Sequence, residues 1–294
     1  MHIKTSPTAR PKGFTLVELV VVIVIVGILS AMGGMIITNH MEGYGDMRRR
    51  AELVDSAESA LRRMQRDIRA ALPNSIRTWS NGQYEGITFL HTAGGGRYRT
   101  SCPSGPGPCN STDVLNFENK DSEFSMLGRI MKNSSGEIPM GIQNGLIVVY
   151  NTGQPPADAY SSSPNNTSAI VYANASGSFG SDATSFGIEP KEFPYSSPYE
   201  RFQIVDEQVR YVWDKNRNTL KRYHNDATHI TDPETKTPFQ WGEGALVNRH
   251  VSQADYIYKP GTPSRSALMT LKLTLEEDSE QVSLLHQVHV LNFP

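Results

Sequence analysis

The sequence predicts an α+β fold in which one long N-terminal α-helix packs on an antiparallel β-sheet head. Three patterns predict it. Residues Phe14–Ile37 form an apolar run whose only charge is Glu18. From Asp46 to about Leu72, the residues Ala51, Val54, Ala57, Leu61, Met64, Ile68 and Leu72 recur at steps of three and four, the period of one helix face. Near the C-terminus Met269, Leu271, Leu273 and Leu275 alternate with Thr270, Lys272 and Thr274, which is the period of a half-buried strand.

The first element carries the most information. As a helix, the 24 residues from Phe14 to Ile37 rise about 36 Å, enough to cross a hydrocarbon core of roughly 30 Å. The run is too long for the apolar core of a cleaved secretory signal, which has about 7 to 15 residues, and Ser30-Ala31-Met32 is a poor small-residue cleavage site. Lys4, Arg10 and Lys12 precede it without any acid, so the positive-inside rule keeps this flank in the cytoplasm and sends the remainder outward. Arg48, Arg49 and Arg50 follow close beyond the other end and pull the other way. Within the run, Glu18 needs a compensating cation or a proton, because an acid in a spanning helix is costly and usually functional. No Lys, Arg or His lies between Phe14 and Ile37.

Lys12-Gly13-Phe14-Thr15-Leu16-Val17-Glu18 followed by this run resembles the class III signal of type IV prepilins and type II secretion pseudopilins. The resemblance implies a pilin fold and a chain organised as a leader peptide (residues 1–13), a transmembrane or filament-core helix (14–37), the amphipathic second half of that helix (38–72) and a β-rich periplasmic head (73–294). It implies that a prepilin peptidase and methyltransferase cuts between Gly13 and Phe14 and methylates the new amine of Phe14. Glu18 then takes the assembly role: in a filament its carboxylate meets the Phe14 amine of a neighbouring subunit, and two charges that are buried only together set axial register. Gly27 matches a glycine common in pilin helices, whereas the proline many pilins carry in this helix is missing. The partners implied are the other minor and major pilins of the filament and the inner membrane, with no cofactor. The chain is then a structural subunit rather than an enzyme.

Two further stretches refine the resemblance. Leu61–Ala71 is similar to a segment of J-type minor pseudopilins, and Pro194–Phe202 with the strand after it is similar to the minor pilins of mannose-sensitive haemagglutinin pili. A minor pilin that primes assembly or caps a tip is the first reading, a J-type pseudopilin of a type II secretion system the second, and a membrane-anchored periplasmic enzyme a distant third.

Beyond the membrane, the helix face opposite the apolar stripe is charged, with Glu58 and Arg62 at i,i+4, and Pro73-Asn74 supplies a stop. The arginines at 62, 63, 66 and 69 alternate with Glu52, Asp55, Glu58 and Asp67, so this face reads as salt-bridged and not as a nucleic-acid surface. The whole chain agrees, with 28 Lys and Arg against 30 Asp and Glu, because a nucleic-acid protein would be strongly basic.

Short β-like runs make up the head: Gly86–Leu90, Val114–Phe117, Gly145–Tyr150, Phe202–Trp213 and Leu220–Tyr223, then Leu268–Leu275 and its partner through Val282, Leu284, Val288 and Val290. Residues 151–185 are rich in Ser, Thr, Asn, Gly and Pro and read as a long surface loop. Gly94-Gly95-Gly96 lacks the Lys-Ser/Thr of a phosphate loop and reads as a turn. Cys102 and Cys109 are the only cysteines. In an oxidising periplasm they would close a small disulfide loop, and a C-x6-C spacing without a nearby His argues against zinc.

No metal site is assigned. His286 and His289 fall on opposite faces of a strand, and Glu276, Glu277, Asp278 and Glu280 lack EF-hand spacing and read as a solvated turn. No G-x-S-x-G or H-E-x-x-H string suggests catalysis. The sequons at Asn110, Asn133, Asn165, Asn166 and Asn174 matter only in a host that glycosylates them.

Overall fold

A computed structural model describes residues 13–102, 114–128, 140–162, 165–174, 184–231, 242–261 and 266–290, with the side chains of 33–42, 140–141, 172–174 and 184 left aside. A helix, α1 (Leu16–Arg69), is followed by twelve strands among the described residues. The chain divides into two compact units, Met1–Glu52 and Leu53–Pro294.

In the second unit, α1 buries Leu53, Ala57, Ala60, Leu61, Met64 and Ile68. The expected stripe is present with changes at its edge: Ala51 is exposed, Val54 is half-buried, and Leu53 and Ala60 belong to it as well. Charges hold the other face, where Arg62 meets Glu58 at 2.5 Å. The helix ends at Arg69, three residues before the expected Leu72, because the strands capture its next backbone groups. Ala71 bridges to His91, the Leu72 N–H donates to Leu90 O at 2.7 Å, and Ala70 O accepts from the Thr92 N–H at 2.9 Å.

Two sheets supply the other walls of this core. Ile87 and Phe89 come from β2 (Tyr84–Tyr98), Val209, Tyr211 and Trp213 from β7 (Arg201–Asp214), and Leu220 from β8 (Thr219–Asp226). A three-stranded sheet of β10 (Val251–Lys259), β11 (Ala267–Glu277) and β12 (Glu280–Val290) adds Met269, Leu271, Leu273 and Leu275 at the alternation read from the sequence. β11 and β12 pair antiparallel without a register shift from Ala267↔Val290 to Glu277↔Glu280.

The larger sheet holds the main surprise. Its short outer strands are β1 (Arg77–Ser80) and β9 (Ala245–Asn248). Between them β2 pairs with β3 (Asp121–Leu127), β3 with β6 (Thr184–Lys191), β6 with β5 (Thr167–Asn174), β5 with β4 (Leu146–Val149), β4 with β7, and β7 again with β2. That is a closed ring of six antiparallel strands, and closure removes the exposed edges that an open sheet must protect. A barrel this small is filled by side chains. Tyr98, Phe124, Met126, Ile147, Val149, Phe186, Ile188, Phe202 and Ile204 fill it, with Phe124, Phe186 and Phe202 meeting at centroid distances of 5.2 to 5.5 Å.

The structure corrects three expectations. Gly94-Gly95-Gly96 is not a turn; it lies in β2, paired with Ile204, Gln203 and Phe202. A Cβ at Gly95 would sit 2.5 Å from Phe202 O, so the absence of a side chain is what lets the two strands approach as they enter the barrel. Residues 151–185 are not one loop, because they contain β5 and the start of β6. Val114 forms an isolated bridge to Arg99 and no strand spans Val114–Phe117.

The segment from Asn151 to Tyr160 is pinned to the residues that follow α1. Asn151, fully buried, donates its amide to Pro73 O at 2.7 Å and accepts the Ala159 N–H at 3.0 Å. Asn74 donates to the Asn151 backbone carbonyl at 2.9 Å, and Tyr160 donates its hydroxyl to Ser75 O at 2.9 Å. A composition that looks like filler therefore supplies both barrel strands and a brace across the end of α1.

Candidate functional site

The residues singled out at the N-terminus sit where the chain enters α1. Gly13, Phe14 and Thr15 precede the helix. Phe14 is 88% exposed, and nothing lies within 4 Å of where a Gly13 side chain would be. The Gly13–Phe14 peptide bond is thus outside regular structure and open to solvent.

Thr15 caps the helix that starts at Leu16, and Glu18 completes the cap. The Thr15 N–H and hydroxyl both donate to Glu18 Oε2, at 3.0 and 2.9 Å, while the Glu18 N–H donates to Thr15 Oγ1 at 3.3 Å. This is a reciprocal capping box, in which a Thr and a Glu three residues later satisfy each other's backbone donors. The carboxylate also lies in the first turn, where the helix dipole favours negative charge. The string Thr15-x-x-Glu18 carries this signal in the sequence, and the membrane and assembly readings of Glu18 did not include it. The Glu18 carboxylate therefore has its partner within its own chain, one turn into the helix.

After the cap, α1 is apolar on every side. Leu19, Val20, Val21, Val22 and Ile23, which at 3.6 residues per turn go round the helix, are each between 49% and 61% exposed. A helix that is hydrophobic all round needs an apolar surround, either a protein core or a lipid. Among the described residues, no helix is long and apolar enough to cross a membrane. The remainder of the expected run, Gly33–Ile37, lies among side chains outside the described residues. Charges return where the apolar run has ended: Arg48 meets Glu52 at 2.9 Å, and Arg49 pairs with Asp46.

In the head, no cysteine among the described residues is free. Cys109, the expected partner of Cys102, lies outside the described residues, as do Asn110 and Asn133. Asn166 is fully buried and donates to Val149 O at 3.1 Å, which removes it as a glycosylation acceptor. His286 faces the half-buried side of β12, whereas His289 is exposed. Among the described residues no three His, Cys, Asp or Glu side chains are grouped to hold a metal ion.

A second cluster escaped the sequence reading. Asp67 of α1 accepts from Tyr211 Oη and Arg222 Nε, both at 2.8 Å, and Arg222 reaches Glu207 at 2.5 Å. Close by, His91 Nδ1 lies 2.7 Å from Asp206 Oδ1. These partners are separated by 15 to 155 residues in sequence, so no local spacing announces them.

The chain matches the family model described as the prokaryotic N-terminal methylation motif, over residues 8–34. No curated protein and no solved structure matches it. The matched segment contains the exposed Gly13–Phe14 bond and the capping box, and it supports a pilin-like prepilin signal.

Proposed function

We propose that the chain is a minor pilin, a non-enzymatic subunit of a type IV pilus of the mannose-sensitive haemagglutinin type that takes part in assembly at the tip or base. The observation that carries the reading is the methylation motif, set on an exposed Gly13–Phe14 bond and followed by a helix apolar on all sides. A prepilin peptidase removes residues 1–13 and methylates Phe14. The helix from Phe14 anchors the subunit in the inner membrane with its head in the periplasm, then enters a filament among other pilins. Leader removal takes away Lys4, Arg10 and Lys12, leaving 25 bases against 30 acids. An oxidising periplasm would close Cys102 and Cys109 into a small loop.

Glu18 has two successive partners in this scheme. Before assembly its charge is satisfied by the Thr15 cap. In the filament it turns to the Phe14 amine of a neighbour, which exists only after cleavage, so processing and docking are coupled through one carboxylate.

Mass spectrometry of the subunit recovered from sheared, purified filaments tests the reading. The expected N-terminus is N-methylphenylalanine at position 14, and an intact Met1 in assembled filaments would overturn it. The similarity of Leu61–Ala71 to J-type pseudopilins favours a second reading, a type II secretion subunit, and recovery from a periplasmic pseudopilus but not from surface filaments would select it.

A further inference from the structure

We propose that His91 and Asp206 form a proton-controlled clasp at the joint where the helix-packed half of the head passes into the six-stranded barrel, holding the barrel more tightly when His91 is charged.

The joint is defined by strand geometry. Along β7, residues 207–214 pair with β8 while residues 202–205 pair with β4, so Asp206 is where β7 changes neighbours. On its other side the β2 register shifts at the same place: His91 pairs with Glu207 and Thr92 with Val205, leaving Asp206 as the extra residue of a bulge. Bulges interrupt the ladder and bend the strand. His91 is bridged to Ala71, just beyond α1, and Thr92 Oγ1 donates to Ala70 O at 2.8 Å. The 2.7 Å contact between His91 Nδ1 and Asp206 Oδ1 therefore ties the bulge to the residues that end the helix, at a point where backbone pairing is interrupted.

The surroundings make the tie sensitive to protons. The Asp206 hydrogen bond holds the His91 pKa above its ordinary value, against the opposing effect of burial, and the charges of Asp206, Glu207 and Asp67 act in the same direction. Arg222, from β8, offsets part of that field by pairing with Asp67 and Glu207, and His224 of the same strand lies 3.3 Å from Glu207. Because the folded-state pKa is raised, the added stability is fully present below the unfolded value of about 6.5 and is lost as pH rises through the folded value. Above it, a neutral imidazole still donates through Nδ1–H but loses the charge that strengthens the bond. The inference does not depend on what the chain assembles with.

Hydrogen exchange of the full chain in detergent micelles, corrected for intrinsic rates, tests it between pH 5.5 and 8.0. Local opening of 146–149 and 201–206 is expected to rise with pH by about tenfold for each unit by which the His91 pKa is raised, with β11 and β12 unchanged. His91→Gln and Asp206→Asn, which keep polar groups in place, should each abolish the response, while His224→Gln should preserve it. Three results would overturn the proposal: a wild-type joint indifferent to pH, an undiminished response in both the His91→Gln and the Asp206→Asn variants, or an equal response in β11 and β12.

Discussion

Replacing Asn151 by alanine tests whether the brace across the end of α1 is structural. The side chain is fully buried; besides a longer bond from Asn166 Nδ2 at 3.4 Å, it serves two backbone groups from different parts of the chain, Pro73 O at 2.7 Å and the Ala159 N–H at 3.0 Å. Truncation leaves both in a dry site, because Pro73 is buried and Ala159 is 4% exposed. An unsatisfied buried donor or acceptor costs about 1 to 3 kcal/mol, so Asn151→Ala should destabilise the head by about 2 to 6 kcal/mol. Against a typical total of about 5 to 15 kcal/mol, that is a large share. For a domain of this size about 2 to 4 °C is lost per kcal/mol, which places the fall in Tm at about 4 °C or more. Tryptophan emission in a thermal melt reports it directly, because Trp79 and Trp213 are buried in the head. Asn216→Ala, at an exposed turn, should stay within about 0.5 kcal/mol of the parent. If Asn151→Ala melts with the parent protein, the polar segment is not a brace and its hydrogen bonds to Pro73 and Ala159 add nothing to the stability of the head.

Three more outcomes are expected. Thr15→Ala removes the capping hydroxyl but keeps the charge of Glu18, while Glu18→Gln keeps a cap acceptor and removes the charge; filament incorporation, measured by immunoblot of sheared pili, should survive the first and be lost in the second. The same pattern in reverse would make Glu18 a helix cap alone. Gly95→Val forces a side chain against Phe202 O, 2.5 Å from the Cβ position, and should cost about 1 to 3 kcal/mol in denaturant unfolding. Phe202→Ala empties the centre of the aromatic trio and should cost about 3 to 5 kcal/mol, with hydrogen exchange accelerated in β3 and β6 more than in β11.

Local periodicity explains which parts of this fold could be read from the chain. β11 was legible because five residues at spacing two, Ala267 to Leu275, face one core, and the stripe on α1 was legible for the same reason at spacing three and four. The motif at Gly13, Phe14 and Glu18 depends on residues within about one turn of one another, so it too is local. The barrel was hidden because its closure rests on pairings between distant segments, such as β4 with β7, and because β5 sits in a polar stretch that composition assigns to a loop. Gly94–Gly96 misled for a physical reason: glycine marks turns by its freedom, but here it marks close contact between strands. The cluster of Asp67, Glu207 and Arg222 was invisible because its members converge only after β7 and β8 have paired.

Closure also bears on how such a head can assemble. A nine-stranded open sheet would leave two long edges able to pair with other chains. In this head the ring consumes the edges of β3, β4, β5 and β6, and the strands left outermost in the larger sheet, β1 and β9, have four residues each. Lateral association by strand addition is therefore disfavoured at the barrel, and the extensive apolar surface exposed in the described chain is that of Phe14 and of α1 from Leu16 to Met32. Association driven by burial should concentrate there. The long strand edges that remain open are those of β10 and β12 in the smaller sheet. On the proposed function, register then falls to Glu18, since hydrophobic contact is nondirectional and no other charged residue lies between Phe14 and Ile37 to stop the helix sliding along a neighbour.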